Sequence, residues 1–113
     1  MGELTTHVLD TAHGKPAAGV LIELKADGVV IASAMTNAAG RTDGPLLAGA
    51  AMQAGPYELC FHVAAYFGQT GVVVPDPPFF DVVTVRVGIA DPDGHYHIPL
   101  LVSPWSYTTY RGG

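Results

Sequence analysis

Histidines lie at both ends of this chain in segments that are otherwise apolar or rich in threonine. The segment "HYHIPLLVSPWSYTTYRGG", residues 95–113, has His95 and His97 two positions apart, and a third histidine, His7, lies in "LTTHVLD" near the start. Imidazole exchanges a proton near neutral pH and also ligates metals. These residues could therefore line a pocket for a small polar ligand or hold a metal ion.

Metal binding is the weaker of these two interpretations. A zinc site needs three or four ligands in a defined geometry, and the "HYH" segment has no cysteine pair, no HExxH motif and no carboxylate directly beside it. The chain also has no phosphate-binding glycine loop and no GxSxG nucleophile elbow. We therefore expect neither a metal site nor a cofactor.

Charge and hydropathy exclude other partners. The net charge is -5 and the five Lys and Arg residues are scattered, so the chain should repel a phosphate backbone. No apolar run approaches the ~20 residues of a membrane span, and the first residues show no secretory pattern. The single cysteine, Cys60, is expected in the core. Together these features predict a cytoplasmic protein that binds neither nucleic acid nor membranes.

The elements that must position the histidines are short strands. Apolar and polar residues alternate between clusters of Gly, Pro, Asp and Asn, which is typical of an all-β sandwich. One helical segment, "HVAAYFG", is expected to end at Gly68. The 113 residues are interpreted as a single domain, 1–113. The eight predicted strands are 4–9, 19–25, 29–36, a short strand within 44–49, 57–61, 83–89, 95–102 and 105–111.

Strand periodicity divides the terminal segment into two faces. Its predicted core face consists of Tyr96, Ile98, Leu100 and Val102, and His95, His97 and Pro99 then face outward. If the last two strands pair, Thr108 and Tyr110 share the outward surface with His97, while His7 faces outward on the first strand. Only 13% of residues are charged, so this face suits a pocket bounded by subunits. It would equally suit an ordinary exposed surface.

Three longer blocks carry a resemblance to a known family. They are "LTTHVLDTAHGKPA" at 4–17, "TNAAGR" at 36–41 and "YHIPLLVSPWSYTTYRGG" at 96–113. The sequence resembles the transthyretin-related family of 5-hydroxyisourate hydrolases from about residue 4 to the terminus. The resemblance implies a transthyretin-like eight-stranded β-sandwich with one short helix. It also implies a homotetramer, a dimer of dimers, with active sites in the channel between dimers.

The resemblance further implies a reaction. This is hydrolysis of 5-hydroxyisourate to 2-oxo-4-hydroxy-4-carboxy-5-ureidoimidazoline, the step after urate oxidation in purine degradation, without a cofactor. Hydrolase members have histidine at the positions of His7 and His97, arginine at Arg41 and "YRG" at 110–112, and this sequence retains them all. The hormone carrier transthyretin shares the fold but lacks the hydrolase residues. A non-catalytic small-molecule carrier is therefore the alternative function, and a structural sandwich module is a third.

Roles for the site residues follow from the same resemblance. We expect His97, with His7, to hold and deprotonate the attacking water. Arg41 should bind the carbonyl edge of the substrate and stabilise the developing negative charge. Tyr110 should close the pocket, with Thr108 as a weaker hydroxyl candidate.

Two positions depart from the family pattern. Gly113 ends the chain where the hydrolases usually have serine, and Ala39 stands where an acidic residue is common. We expect Ala39 to loosen the turn that holds Arg41. Three other residues are given no catalytic role: His13, His62 and His95 are interpreted as turn or surface residues.

Overall fold

Two β-sheets enclose the core in a computed structural model that describes all of residues 1–113. The predicted all-β sandwich is confirmed, with nine strands, one α-helix and a 3₁₀ turn at Gly49–Ala51. No helix is long and apolar enough to cross a membrane. The elements are β1 (Glu3–Asp10), β2 (Lys15–Pro16), β3 (Leu21–Ala26), β4 (Val29–Met35), β5 (Leu47–Ala48), β6 (Gly55–His62), α1 (Val63–Gln69), β7 (Val82–Ile89), β8 (His95–Val102) and β9 (Tyr107–Thr109).

The parallel pairing of β1 with β8 is the feature of the fold that matters most for the site. The first sheet has the order β2-β1-β8-β9, with β5 also paired to β1, and the second has the order β4-β3-β6-β7. All the other pairings are antiparallel, whereas β1 and β8 run parallel from Glu3 opposite His95 to Asp10 opposite Val102. Residues from the two ends of the sequence therefore lie side by side on one sheet.

Alternation along the strands places apolar side chains between the sheets. In β1 every second residue is buried, and the predicted core face of β8 is confirmed because Tyr96, Ile98, Leu100 and Val102 are all buried. Burial of one such large side chain contributes about 1.5–3 kcal/mol. Pro99 is also buried, although its predicted face is outward, because β8 lies between β1 and β9 in the sheet.

Three local features differ from the predicted elements. The last strand spans only 107–109 because the Ser103 side chain accepts hydrogen bonds from the backbone of Trp105 and Ser106, which keeps these residues in a turn. The two-residue strand β2 was interpreted as a turn, but it pairs with the end of β1. The helix continues past Gly68 to Gln69. By contrast, the predicted Asp27-Gly28 hairpin turn is confirmed, with both residues at positive φ.

A buried carboxylate ties the end of β1 to α1. Asp10 is 1% exposed and accepts hydrogen bonds from the Tyr66 hydroxyl at 2.7 Å and from the His13 backbone N–H at 3.0 Å and ring Nδ1 at 2.6 Å. Burial alone would raise the pKa of this carboxyl, but the hydrogen bonds from Tyr66 and His13 hold the pKa below its ordinary value. The aspartate is therefore an ionised, fully bonded element of the core at neutral pH.

Candidate active site

A polar cleft lies on the outward face of the β1–β8 pair. Its volume is about 520 Å³ and no hydrophobic side chain lines it. On its floor Thr5 and His97 lie opposite each other across the parallel pair. Arg41 and Thr42 border it from the loop after β4, and Glu3 and His95 border its far side. Residues from three separate parts of the sequence therefore converge here.

The imidazole of His97 is held on two sides. Its Nδ1 lies 2.8 Å from the Thr5 hydroxyl oxygen. On the other side the chain end runs past the ring, and the Gly112 backbone N–H donates to the His97 carbonyl oxygen at 2.7 Å. Gly112 lies so close that a Cβ added there would be 2.7 Å from the His97 Cδ2. The ring therefore has little freedom to change rotamer.

His97 is neutral at physiological pH. Burial lowers the pKa of its imidazole, and the positive charge of Arg41 and the nearby His7 and His95 lower it further. An unprotonated ring nitrogen is what a general base needs. The cleft therefore supplies a proton acceptor close to a permanent cation.

His7 lies beside the cleft and holds the segment that carries Arg41. The two residues form an antiparallel bridge, and the His7 Nε2 donates to the Ala39 carbonyl oxygen at 2.9 Å. Since a carbonyl oxygen only accepts, Nε2 must carry the proton of His7. When His7 is neutral, its Nδ1 is then the nitrogen with a free lone pair.

The turn before Arg41 is closed by an asparagine. The Asn37 Oδ1 accepts from the backbone N–H groups of Ala39 at 3.0 Å and Arg41 at 3.2 Å, and its Nδ2 donates to Asp43 at 3.0 Å. These bonds use the backbone of Ala39 and not its side chain, so Asn37 closes the turn without an acidic residue at position 39. Asn37 is a residue that sequence reasoning missed, although asparagine is a common turn-closing residue.

Two of the five predicted site residues lie away from the cleft within the single chain. Thr108 pairs with Leu101, four positions beyond His97 on β8, which corresponds to about 13 Å along a strand. Tyr110 lines a separate cavity of about 440 Å³ between the edges of β7 and β9. His7, Arg41 and His97 are therefore brought together, and Thr108 and Tyr110 are not.

Two neighbours of the site were set aside or missed at the sequence level. His95, interpreted as a surface residue, lines the cleft and lies 3.1 Å from the Glu3 carboxylate. The hydroxyl of Thr5 contacts His97 directly. The only signal for either contact is the register of the β1–β8 pair, which the strand pattern does not specify. No group of three or more His, Cys, Asp or Glu side chains is arranged to hold a metal ion.

A neutral imidazole and a guanidinium in one polar cleft can activate water and stabilise negative charge on a carbonyl oxygen. Fold and cleft together define a class of β-sandwich proteins with an acid–base site on the outer face of one sheet. Residues 4–112 match the HIUase/Transthyretin family, and the chain belongs to this family.

Two relatives of the chain bear the name 5-hydroxyisourate hydrolase. It is 54% identical to 5-hydroxyisourate hydrolase 2 of Rhizobium meliloti, over 98% of this chain and 96% of the relative. It is 55% identical to the 5-hydroxyisourate hydrolase of Deinococcus radiodurans, over 96% of this chain and 94% of the relative. The resemblance noted from the sequence is thereby confirmed.

Solved structures with the same fold bear different names. The Klebsiella pneumoniae 5-hydroxyisourate hydrolase superposes with a TM-score of 0.86 at 34% identity, covering all of both chains. Sea bream transthyretin in complex with thyroxine superposes with a TM-score of 0.83, also at 34% identity, covering 97% of this chain and 94% of its own. An (S)-allantoin synthase reaches 0.93 at 43% identity, where this chain spans 99% of its own length and 44% of that protein's.

Proposed function

We propose that this protein hydrolyses 5-hydroxyisourate to 2-oxo-4-hydroxy-4-carboxy-5-ureidoimidazoline. The observation that carries the proposal is the neutral imidazole of His97 beside Arg41 in a polar cleft, in a chain whose relatives bear this enzyme name. In the reaction the oxygen of water bonds to a ring carbonyl carbon, the carbon–nitrogen bond of the cyclic amide breaks, and the ring nitrogen leaves with a proton.

His97 acts as the general base in this proposal. The Nε2 of its ring is the nitrogen not held by Thr5, and it accepts the proton of the attacking water. The low pKa of His97 keeps the base unprotonated at physiological pH. Protonated His97 can then return the proton to the departing ring nitrogen.

Arg41 and His7 bind the substrate. The planar guanidinium of Arg41 presents several donors to the carbonyl edge of the ring and stabilises the oxyanion as the water adds. His7 holds the Arg41 turn through Ala39, and its Nδ1 is available to the water or to the substrate. These roles divide the work between a base on β8 and a charge-stabilising group on the loop after β4.

The working enzyme is a homotetramer, a dimer of dimers, in our proposal. The edge strands β7 and β9 each have one side without a partner strand. Beside them the large aromatics Phe79 and Trp105 are 67% and 60% exposed, which is the kind of apolar surface that subunit contacts cover. Thr108 and Tyr110 would then reach a cleft of a neighbouring subunit.

The buried, unpaired thiol of Cys60 supports a reducing compartment such as the cytoplasm in this proposal. Residues 1–113 act as one hydrolase domain.

The carrier function is disfavoured by the lining of the cleft. A carrier of an apolar aromatic ligand would need mostly apolar walls, whereas charged, imidazole and hydroxyl side chains form most of the lining of this cleft. His7, Arg41 and His97 would also be three polar groups with no chemistry to perform.

A direct assay tests the proposal. Urate oxidase generates 5-hydroxyisourate from urate, and its decay is followed by ultraviolet absorbance with and without the protein. We expect the protein to accelerate the decay strongly, and His97→Ala or His7→Ala to reduce turnover by roughly 10²-fold, the scale of general base catalysis. His62→Ala is the matched control, because His62 pairs with Glu23 on the other sheet. Near-normal rates in both cleft variants would contradict the roles given to His97 and His7. If the assembled protein does not accelerate the decay at all, the carrier function is favoured.

A further inference from the structure

The hydroxyl group of Thr5 has no role in the chemistry above, yet it touches the base. We propose that Thr5 is a positioning residue that holds His97 in one tautomer: its oxygen accepts a hydrogen bond from Nδ1–H, so that Nε2 presents its lone pair to the cleft. This inference rests on the proposed function, because it assigns the state in which His97 serves as base.

The contact is determined by strand register. Thr5 and His97 are direct partners in the parallel pair of β1 and β8, and both are half-buried on the same outward face. The next residue, Thr6, is buried on the opposite face and donates to the Ile98 carbonyl oxygen at 2.7 Å. A slip of one residue would expose the buried face of β1, so the register of the pair is fixed. The 2.8 Å contact between the Thr5 hydroxyl and His97 Nδ1 is therefore fixed by the fold.

The two nitrogens of the His97 ring have different surroundings. Nδ1 meets the Thr5 oxygen, and the Cγ–Cδ2 edge lies against Gly112. Nε2 has no hydrogen-bond partner in the chain, and no buried side-chain nitrogen or oxygen lacks a partner. It follows that Nε2 is open to solvent in the cleft, where an attacking water can reach it.

A neutral imidazole carries one proton, and a threonine hydroxyl can either donate or accept. If Thr5 donated to Nδ1, the proton of His97 would be on Nε2 and the ring could not accept one from water in the cleft. The neighbouring charge favours the opposite arrangement, since the cation of Arg41 lies on the cleft side and stabilises a lone pair there rather than an N–H dipole. When Nε2 gains a proton, the Nδ1–H bond to Thr5 persists and becomes charge-assisted.

Other titratable groups near His97 do not choose between its nitrogens. His7 and Glu3 lie on β1. His95 lies on β8 with His97, and its Nδ1 is 3.1 Å from the Glu3 carboxylate. Arg111 of the chain end lies over the Tyr96 ring and donates to the His95 carbonyl oxygen, away from the His97 imidazole. With the Arg41 charge favouring a lone pair on Nε2, Thr5 is the group placed to accept the Nδ1–H and hold His97 in that tautomer.

The decisive variant is Thr5→Val, which keeps the shape of the side chain and removes the hydroxyl. We expect about a tenfold loss in kcat with little change in KM, because the lost bond strengthens when His97 becomes charged. The acid limb of the kcat/KM profile should move to lower pH, since an accepting hydroxyl stabilises the protonated ring. Thr5→Ser should restore both values. Thr109→Val is the matched control, because Thr109 is a half-buried threonine that bonds the Pro99 carbonyl on β8 without touching the ring.

Two results would overturn the inference. An acid limb that moves to higher pH in Thr5→Val would mean that Thr5 donates to Nδ1, and an unchanged rate and profile would mean that it positions nothing. Nitrogen-15 NMR of labelled histidine provides a readout independent of turnover: the His97 signals, assigned by their absence in His97→Ala, should report the Nδ1–H tautomer in the unmodified protein. An Nε2–H tautomer there contradicts the inference. If the protein failed to hydrolyse 5-hydroxyisourate, the proposed function would fall while this spectrum still tested Thr5.

Discussion

At the scale of single residues, the position of the His97 ring depends on its direct neighbours, and the smallest of these is Gly112. The chain end crosses the imidazole at a distance that leaves no space for a Cβ. Resemblance predicted His7, Arg41 and His97 as site residues from the sequence, because their side chains are the proposed reacting groups. It did not explain Gly112 or find Thr5, since their importance lies in distances to a ring that is 15 and 92 positions away.

Replacement of this glycine is a test at the residue scale. Gly112→Ala should push its new methyl group into the His97 ring or lift the chain end away, and either response should lower kcat by about tenfold or more. Gly68→Ala is the control, because a Cβ there would meet nothing within 4 Å and Gly68 lies in α1, away from the cleft. Stopped assays of both variants should show a loss only at position 112, and equal activity would contradict the close approach.

Elements are joined in this molecule by polar bonds as well as by the core. Tyr66 of α1 and His13 of the turn after β1 both bond Asp10, which fastens the helix to the sheet that carries the cleft. Strand alternation predicted most elements, because each long strand buries one face. It could not predict β2, whose two residues are exposed and have no buried face, nor the early end of β9, which depends on the Ser103 turn.

Removal of one of these bonds tests stability at the scale of elements. Tyr66→Phe should lower the free energy of unfolding at pH 7 by about 1–3 kcal/mol, because it takes a donor from a buried carboxylate. Asp10 has a folded pKa below its unfolded value of about 3.9, so its stabilisation is present above that pH and is lost as pH falls through the folded pKa. The penalty should therefore shrink in acid.

Urea denaturation at fixed protein concentration measures this penalty. Tyr57→Phe provides the comparison, since its hydroxyl donates to the neutral carbonyl of Gln53 and its loss should cost only about 0.5–1.5 kcal/mol. A larger cost for Tyr57→Phe, or a penalty in Tyr66→Phe that grows in acid, would contradict the role given to Asp10.

Across the whole molecule, exposed apolar side chains lie mainly in two places, along the edge strand β4 and beside the edges of β7 and β9. Phe79 and Phe80 lie before β7 and contact Trp105 and Tyr107 at ring-centroid distances of 6.1 and 5.2 Å respectively. The low charge content indicated that other subunits cover part of the surface. Alternation along a strand does not identify which exposed face is covered or which partner covers it. This is why the sequence pattern alone left both a pocket and an ordinary surface as open interpretations.

Assembly can be tested by introducing a charge at this surface. Trp105→Glu should break the proposed tetramer into smaller species, because burial of an unpaired carboxylate in a subunit contact is costly. Val73→Glu, at a side chain that is 94% exposed, should leave it intact. Sedimentation velocity of the three proteins distinguishes these outcomes, and an unmodified protein that sediments as a monomer would refute the assembly.

The parallel β1–β8 pair has a consequence for synthesis of the chain. β1 leaves the ribosome first, but its partner β8 begins 92 residues later, at His95 opposite Glu3. Non-local pairings of this kind form slowly, because the entropy cost of closing a long loop comes before the stabilising hydrogen bonds form. β1 must therefore wait, with the edge that will form the cleft unpaired, until nearly the whole chain has emerged. The face that carries the cleft is therefore completed late in synthesis, so we expect a nascent chain to be unable to act on substrate before it is almost complete.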